Sequence, residues 1–227
     1  MSLNLIKTNI DAALKAAADP RLAKPMASYM KNHFSFLGIK TPQRRQATKD
    51  LVTETKKLSV KDLLDLVNWL WEVDQREYQY IAVDILAKNY LKFSLANIKQ
   101  LIRLAQEKSW WDSVDGLSSV INKILRKSLA SDKNAQNIMD ESILHENMWV
   151  RRIALLHQLG WKDDTDEQRL FDYAKSQASD ENFFIRKAIG WALRDYARHN
   201  PERVYSFLDE NESIWSNLTY REATKHR

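Results

Sequence analysis

The sequence predicts an all-α protein in which pairs of helices stack as a right-handed α-solenoid. Three observations carry that prediction. Glycine and proline are scarce, four each in 227 residues, whereas an all-β fold needs frequent turns. No segment sustains the period-two alternation of a half-buried strand. Large rings recur at Tyr80, Trp111, Trp149 and Phe184, with spacings of 31, 38 and 35 residues. Each of these rings opens the second helix of a pair.

The elements follow in order. Leu3 to Ala18 is a helix with apolar positions at Leu5, Ile6, Ile10, Ala13 and Leu14, and Pro20 ends it. Arg21 to Lys31 is a second helix, interrupted near Pro25. Gly38 marks a turn. Thr41 before Pro42 reads as an N-cap with proline at the first helical position, and the third helix runs to Lys57. Ser59 caps a helix over 60–73. Further helices are expected over 77–90, 94–107, 111–129, 131–144, 148–159, 166–178, 182–198, 201–208 and 214–225, by their apolar spacing and flanking cap residues.

Helical pairs at a period of 31 to 38 residues are the mark of a HEAT- or armadillo-type stack. The second helices of such a stack usually line a concave side. In that case Trp111, Asp115, Arg152, Lys187, Trp191 and Arg194 form one row of rings and charges. Cations there would neutralise phosphates and rings would pack on sugars or bases. Trp149 and Phe184 read as core. Trp111 and Trp191 are open to either role.

Lysine and arginine number 35 against 30 acids, a net charge of +5 with an isoelectric point near 9.2. That permits a polyanionic partner without requiring one. The absence of cysteine excludes disulfides and thiolate-bound metals, and is compatible with a reducing cytoplasmic location. The amino terminus has no apolar run of signal length, and nothing approaches the roughly 18 apolar residues of a membrane span. Glycine-rich phosphate loops are missing. The five histidines make no metal spacing, so neither a metal nor a cofactor is expected. Glu141 and His145 stand four apart without further ligands.

Asp115 is the informative residue. It lies four residues after Trp111, on the same helix face, yet an acid repels phosphates. Three roles are open to it: bonding a neighbouring helix N-terminus, pairing with Arg152, or acting on a substrate cation, as where positive charge develops on a sugar. Asp112 reads as a helix-start acid. Asp84, in register one repeat earlier, reads as structural. Arg44 and Arg45 oppose the dipole of their helix, and are either solvated or meet a phosphate there.

Five segments resemble the AlkD-type DNA alkylation repair proteins, alkylpurine DNA glycosylases built of HEAT-like repeats. They are Tyr29-Met30-Lys31-Asn32, Gly38 to Arg45, Ser109-Trp110-Trp111-Asp112-Ser113-Val114-Asp115, Trp149 to Ala154, and Phe183 to Arg194 with its Ile-Arg-Lys-Ala-Ile-Gly-Trp run. Arg221 to Lys225 resembles the family's closing helix. The likeness spans nearly the whole chain, as one domain.

The resemblance implies a substrate, duplex DNA with cationic N3- or N7-alkylated purines. It also implies a reaction, hydrolysis of the N-glycosidic bond without flipping the base into a pocket. By the same resemblance Asp115 takes the catalytic place, and Trp111 and Trp191 embrace the lesion's deoxyribose. Arg152 holds the backbone, and Tyr29 lies on the far side of the site. Lys40, Thr41, Arg44, Arg45, Lys187 and Arg194 are the remaining expected DNA contacts on a concave basic face. A monomer is expected on the DNA. Arg151 departs from the pattern, and periodicity lets only one of Arg151 and Arg152 face the groove squarely. A non-catalytic DNA-binding module and a protein-binding helical scaffold are the alternatives.

Overall fold

The computed structural model describes residues 2–227. Among them are thirteen α-helices and no strand, only one isolated bridge between Ser35 and Gln75. The chain divides into two compact units, residues 1–93 and 94–227.

The first unit holds α1 (Leu3–Ala17), α2 (Pro20–Tyr29), α3 (Thr41–Glu54), α4 (Val60–Glu72) and α5 (Arg76–Asn89), with 3-10 turns at Thr55–Lys57 and Tyr90–Lys92. Its core follows the helical period: Ile6, Ile10 and Leu14 of α1, Leu63, Leu66 and Leu70 of α4, and Ile81 and Ile85 of α5 are buried. Each such side chain contributes roughly 1.5–3 kcal/mol through burial. Pro20 begins a helix where it was expected to end one. The Asp19 carboxylate accepts from the Arg21 amide at 3.1 Å, and Pro20 fills the first position, whose N–H would go unused. Thr41 is likewise inside α3, and Lys40 is the cap, without a side-chain bond.

The approach to α3 is held from within the unit. The Glu77 carboxylate accepts from the amides of Leu37, Gly38 and Ile39 at 3.0, 2.9 and 3.1 Å. Gly38 has φ +87, and a Cβ there would lie 2.0 Å from the Asp19 carbonyl oxygen. Only glycine fits that position.

The second unit holds α6 (Leu95–Leu104), α7 (Trp111–Ser128), α8 (Asn137–Ser142), α9 (Met148–Leu156), α10 (Glu167–Ser176), α11 (Phe183–Ala197), α12 (Pro201–Glu210) and α13 (Asn217–Ala223). Successive helices pack as pairs, α6 on α7, α8 on α9 and α10 on α11. The second members then pack on one another, α7 on α9, α9 on α11 and α11 on α13. That is the stacking the repeat spacing predicts.

Several expected helices are shorter, two of them markedly. The one expected over 131–144 is reduced to α8, because the Asp132 carboxylate accepts from the Asn134 amide at 2.8 Å and closes an Asx turn instead. The last helix begins at Asn217, since the Ser216 hydroxyl accepts from the Thr219 amide at 3.1 Å and caps it there. No helix among the described residues is long and apolar enough to cross a membrane.

Candidate functional site

The helix-start sequences of the second unit position the candidate residues. Asn147 and Asn182 are N-caps of α9 and α11, each accepting from the amide two residues on, Trp149 at 2.9 Å and Phe184 at 2.8 Å. This puts a ring at the second position of both helices. Trp110, the residue before α7, completes the set. Its ring lies edge-on to Trp149 (centroids 5.8 Å apart) and to Phe184 (5.1 Å), and Trp149 and Phe184 are 5.0 Å apart. Such contacts add about 0.5–1.5 kcal/mol each beyond area burial. The starts of three helices are thereby fixed to one another, as the core assignment of Trp149 and Phe184 requires.

Arg152 of α9 ties the same three helices by charge. Its Nε donates to Asp115 Oδ1 at 2.7 Å and its Nη2 to Oδ2 at 2.8 Å, while Nη1 donates to the Phe184 carbonyl at 2.6 Å. The Arg152 side chain is 6% exposed and that of Asp115 21%. The acid is therefore the more exposed end of the pair. Of the roles open to Asp115, partnership with Arg152 is what the structure contains. A bidentate arginine engages one lone pair on each carboxylate oxygen, and a carboxylate offers about four acceptor sites.

Arg151 points elsewhere. It donates to the His145 and Glu146 carbonyls at 2.8 and 2.7 Å and pairs with Asp180 at 2.8 Å. Trp111, one turn before Asp115, is half-buried.

Along α11, Lys187, Trp191 and Arg194 stand at i, i+4 and i+7 and so share a face. Trp191 is half-buried. The Glu222 carboxylate of α13 bridges the two cations, to Lys187 at 3.4 Å and to Arg194 at 2.9 Å. Arg194 also donates to the Glu222 carbonyl at 2.6 Å. The Arg194 hydrogen bond, with Lys187 nearby, holds the Glu222 carboxyl below its usual range against the opposing effect of burial.

In the first unit Asp84 takes two arginines, Arg44 at 3.0 Å and Arg45 at 3.2 Å. Arg44 is buried, with its guanidinium 4.8 Å from the Tyr80 ring centre.

A family model described as DNA alkylation repair enzyme matches residues 10–226. The chain belongs to that family. Its role is therefore in DNA alkylation repair, and its family is one of enzymes. A solved structure described as a predicted DNA alkylation repair enzyme from Enterococcus faecalis is 33% identical, with a TM-score of 0.87 over 92% of this chain and 96% of that one. AlkD2 from Streptococcus mutans shares the fold at 20% identity, with a TM-score of 0.63 over 77% of this chain and 86% of that one. The protein smu.31 from Streptococcus mutans UA159 does so at 18% identity and a TM-score of 0.64, over 97% and 98% of the two chains. No curated protein matches the sequence.

Within this family member the expected site residues fall into two groups. Trp111, Asp115, Arg152, Lys187, Trp191 and Arg194 lie on the successive second helices α7, α9 and α11. Tyr29, Lys40, Thr41 and Arg45 are exposed residues of the first unit, with Tyr29 70% exposed. Arg44 departs from expectation. Its first-turn position suggests an arginine that is solvated or meets a phosphate, but its guanidinium is enclosed by Asp84 and Tyr80. No group of three or more metal-ligating side chains occurs among the described residues.

Two residues escaped sequence reasoning. Glu222 sits in a mixed-charge closing segment with nothing local to single it out. Glu77 reads as an ordinary first-turn acid, although three backbone amides converge on it.

Proposed function

We propose that this protein is a monofunctional alkylpurine DNA glycosylase, hydrolysing the N-glycosidic bond of cationic N3- or N7-alkylated purines in duplex DNA. The observation that carries this is the partly exposed carboxylate of Asp115, fixed by a buried arginine one turn from a half-buried tryptophan.

Alkylation places a positive charge on the purine, so the base departs neutral and needs no proton from the protein. Positive charge instead develops on the deoxyribose as the bond breaks. A carboxylate held in one orientation stabilises that charge without reorganising at the moment of reaction, and its unused acceptor sites can orient the attacking water. Arg152 lowers the long-range pull of Asp115 on any cation but fixes the acid end toward the substrate. The interaction then strengthens only as the sugar cation forms at close range. The ring faces of Trp111 and Trp191 offer negative potential to the same sugar. Tyr29, Lys40, Thr41 and Arg45 serve as surface contacts to the duplex.

The test is release of free N7-methylguanine or N3-methyladenine from methylated duplex DNA. Release above background with abasic sites left behind is expected. A duplex that is bound in a salt-sensitive way but never loses a base would leave a DNA-binding module. Neither release nor binding would leave a helical scaffold.

A further inference from the structure

We propose that Glu222 is an internal counter-anion for the α11 face: it occupies Lys187 and Arg194 in the DNA-free protein and thereby limits the grip on undamaged DNA. This rests on the proposal that the α11 face meets a duplex.

The placement of Glu222 is built in. A Cβ at Gly190 would come within 2.5 Å of the Glu222 Cβ and 2.8 Å of the Thr219 carbonyl oxygen. Glycine at that point is what lets α13 lie against α11. The Thr219 hydroxyl donates to the Arg186 carbonyl at 3.2 Å, fixing the helix along α11. Glu222 then faces the row Lys187, Trp191, Arg194 from the side.

The two cations are held unequally. Arg194 is locked, with bonds to both the carboxylate and the carbonyl of Glu222, and its side chain is 17% exposed. Lys187 is held more loosely, at 3.4 Å, and its side chain is 40% exposed. Its ammonium also lies 5.9 Å from the Phe183 ring centre. A partly exposed pair of this kind contributes little to stability. It has a large effect on local charge, however. With Glu222 the three groups sum to one positive charge, and without it to two. Phosphate contacts supply nearly all of non-specific binding, so an acid that withholds one of them lowers affinity for every undamaged site.

The experiment measures binding of an undamaged duplex across a salt series, with thermal unfolding followed in parallel. Glu222→Gln keeps the shape and an acceptor for Arg194 but frees Lys187. The slope of log K against log salt should steepen by about 0.9, the value of one added phosphate contact. The affinity gain should shrink about threefold between about 50 and 200 mM salt, as that slope requires. Adding Lys187→Gln to this variant should return the slope to that of the parent. Glu222→Asp, one methylene shorter, should shift it the same way by less, and it decides the matter if Glu222→Gln does not fold.

Equal slopes in parent, Glu222→Gln and Glu222→Asp, with only the unfolding temperature lowered, would reduce Glu222 to a packing role. If the parent excises methylated bases and the slopes are equal, this inference alone fails. If the parent binds no duplex at all, the glycosylase proposal fails with it.

Discussion

Asp84 and Asp115 occupy the same register in two different repeats, four residues after a ring and opposite a buried arginine. Their side chains are almost equally exposed, 19% and 21%. What differs is the company. Asp84 is shared by Arg44 and Arg45, and Arg44 lies over the Tyr80 ring that corresponds to Trp111. Asp115 has a single arginine, and the third donor of that arginine goes to a backbone carbonyl. The Asp84 cluster carries a net positive charge and the Asp115 pair none. One register position thus carries a surplus of positive charge in one unit and a balanced pair in the other.

The largest expected difference is in catalysis. Asp115→Asn should lower excision by about 10²–10³-fold, the loss usual when one preorganised electrostatic group is removed, with duplex binding kept or tightened. Asp84→Asn should change excision by less than about threefold, taking an ordinary surface effect as the guide. Equal losses from the two would make both acids structural.

Next come the arginines. Arg44→Met and Arg152→Met each leave a partly buried acid without its main partner, and each should cost about 3 kcal/mol in denaturant unfolding. At a temperature where both variants remain folded, Arg152→Met should reduce excision well beyond Arg44→Met, since it also releases the carboxylate orientation.

Acid should separate the two units. His157, fully enclosed in the second unit, is pushed by burial down to about 4 from 6.5. A depressed histidine makes the unfolded chain bind the proton first. Its contribution to stability is complete above pH 6.5 and is lost as pH falls toward 4, at up to about 1.4 kcal/mol per pH unit. The only histidine of the first unit, His33, is exposed. Hydrogen-exchange protection at pH 5 should therefore weaken in the second unit before the first, and His157→Gln should flatten that dependence.

The smallest effect concerns the rings. Tyr80→Leu removes the surface under Arg44 and should cost about 1 kcal/mol of stability. Trp111→Leu should cost a similar amount of stability but also slow excision. A stability loss with unchanged excision would return Trp111 to the core.

Much of this was legible in the sequence, for identifiable reasons. The rings at Tyr80, Trp111, Trp149 and Phe184 revealed the repeat because each follows a helix start, and helix starts are coded locally by Asn147, Asn182 and their kind. The same locality misled at Pro20, which serves as well to begin a helix as to end one, and at Ser131 to Gln136, where an Asx turn outcompeted helical propensity. Charge partners were harder. That Arg152 and not Arg151 meets Asp115 depends on how α9 is rotated against α7. That Arg44 is enclosed depends on Asp84, forty residues away. Glu222 acts across a gap that only Gly190 opens, and no spacing rule relates those two positions.

The carboxylate of Glu77 has a consequence for the order of folding. The strap from Leu37 to Ile39 has three amides whose acceptor lies 38 to 40 residues further along the chain. Those amides stay satisfied by water until α5 has formed and closed that span, an entropic step that local turn formation does not replace. The strap leads directly into α3, so the placing of that helix start depends on α5 as well as on local turns.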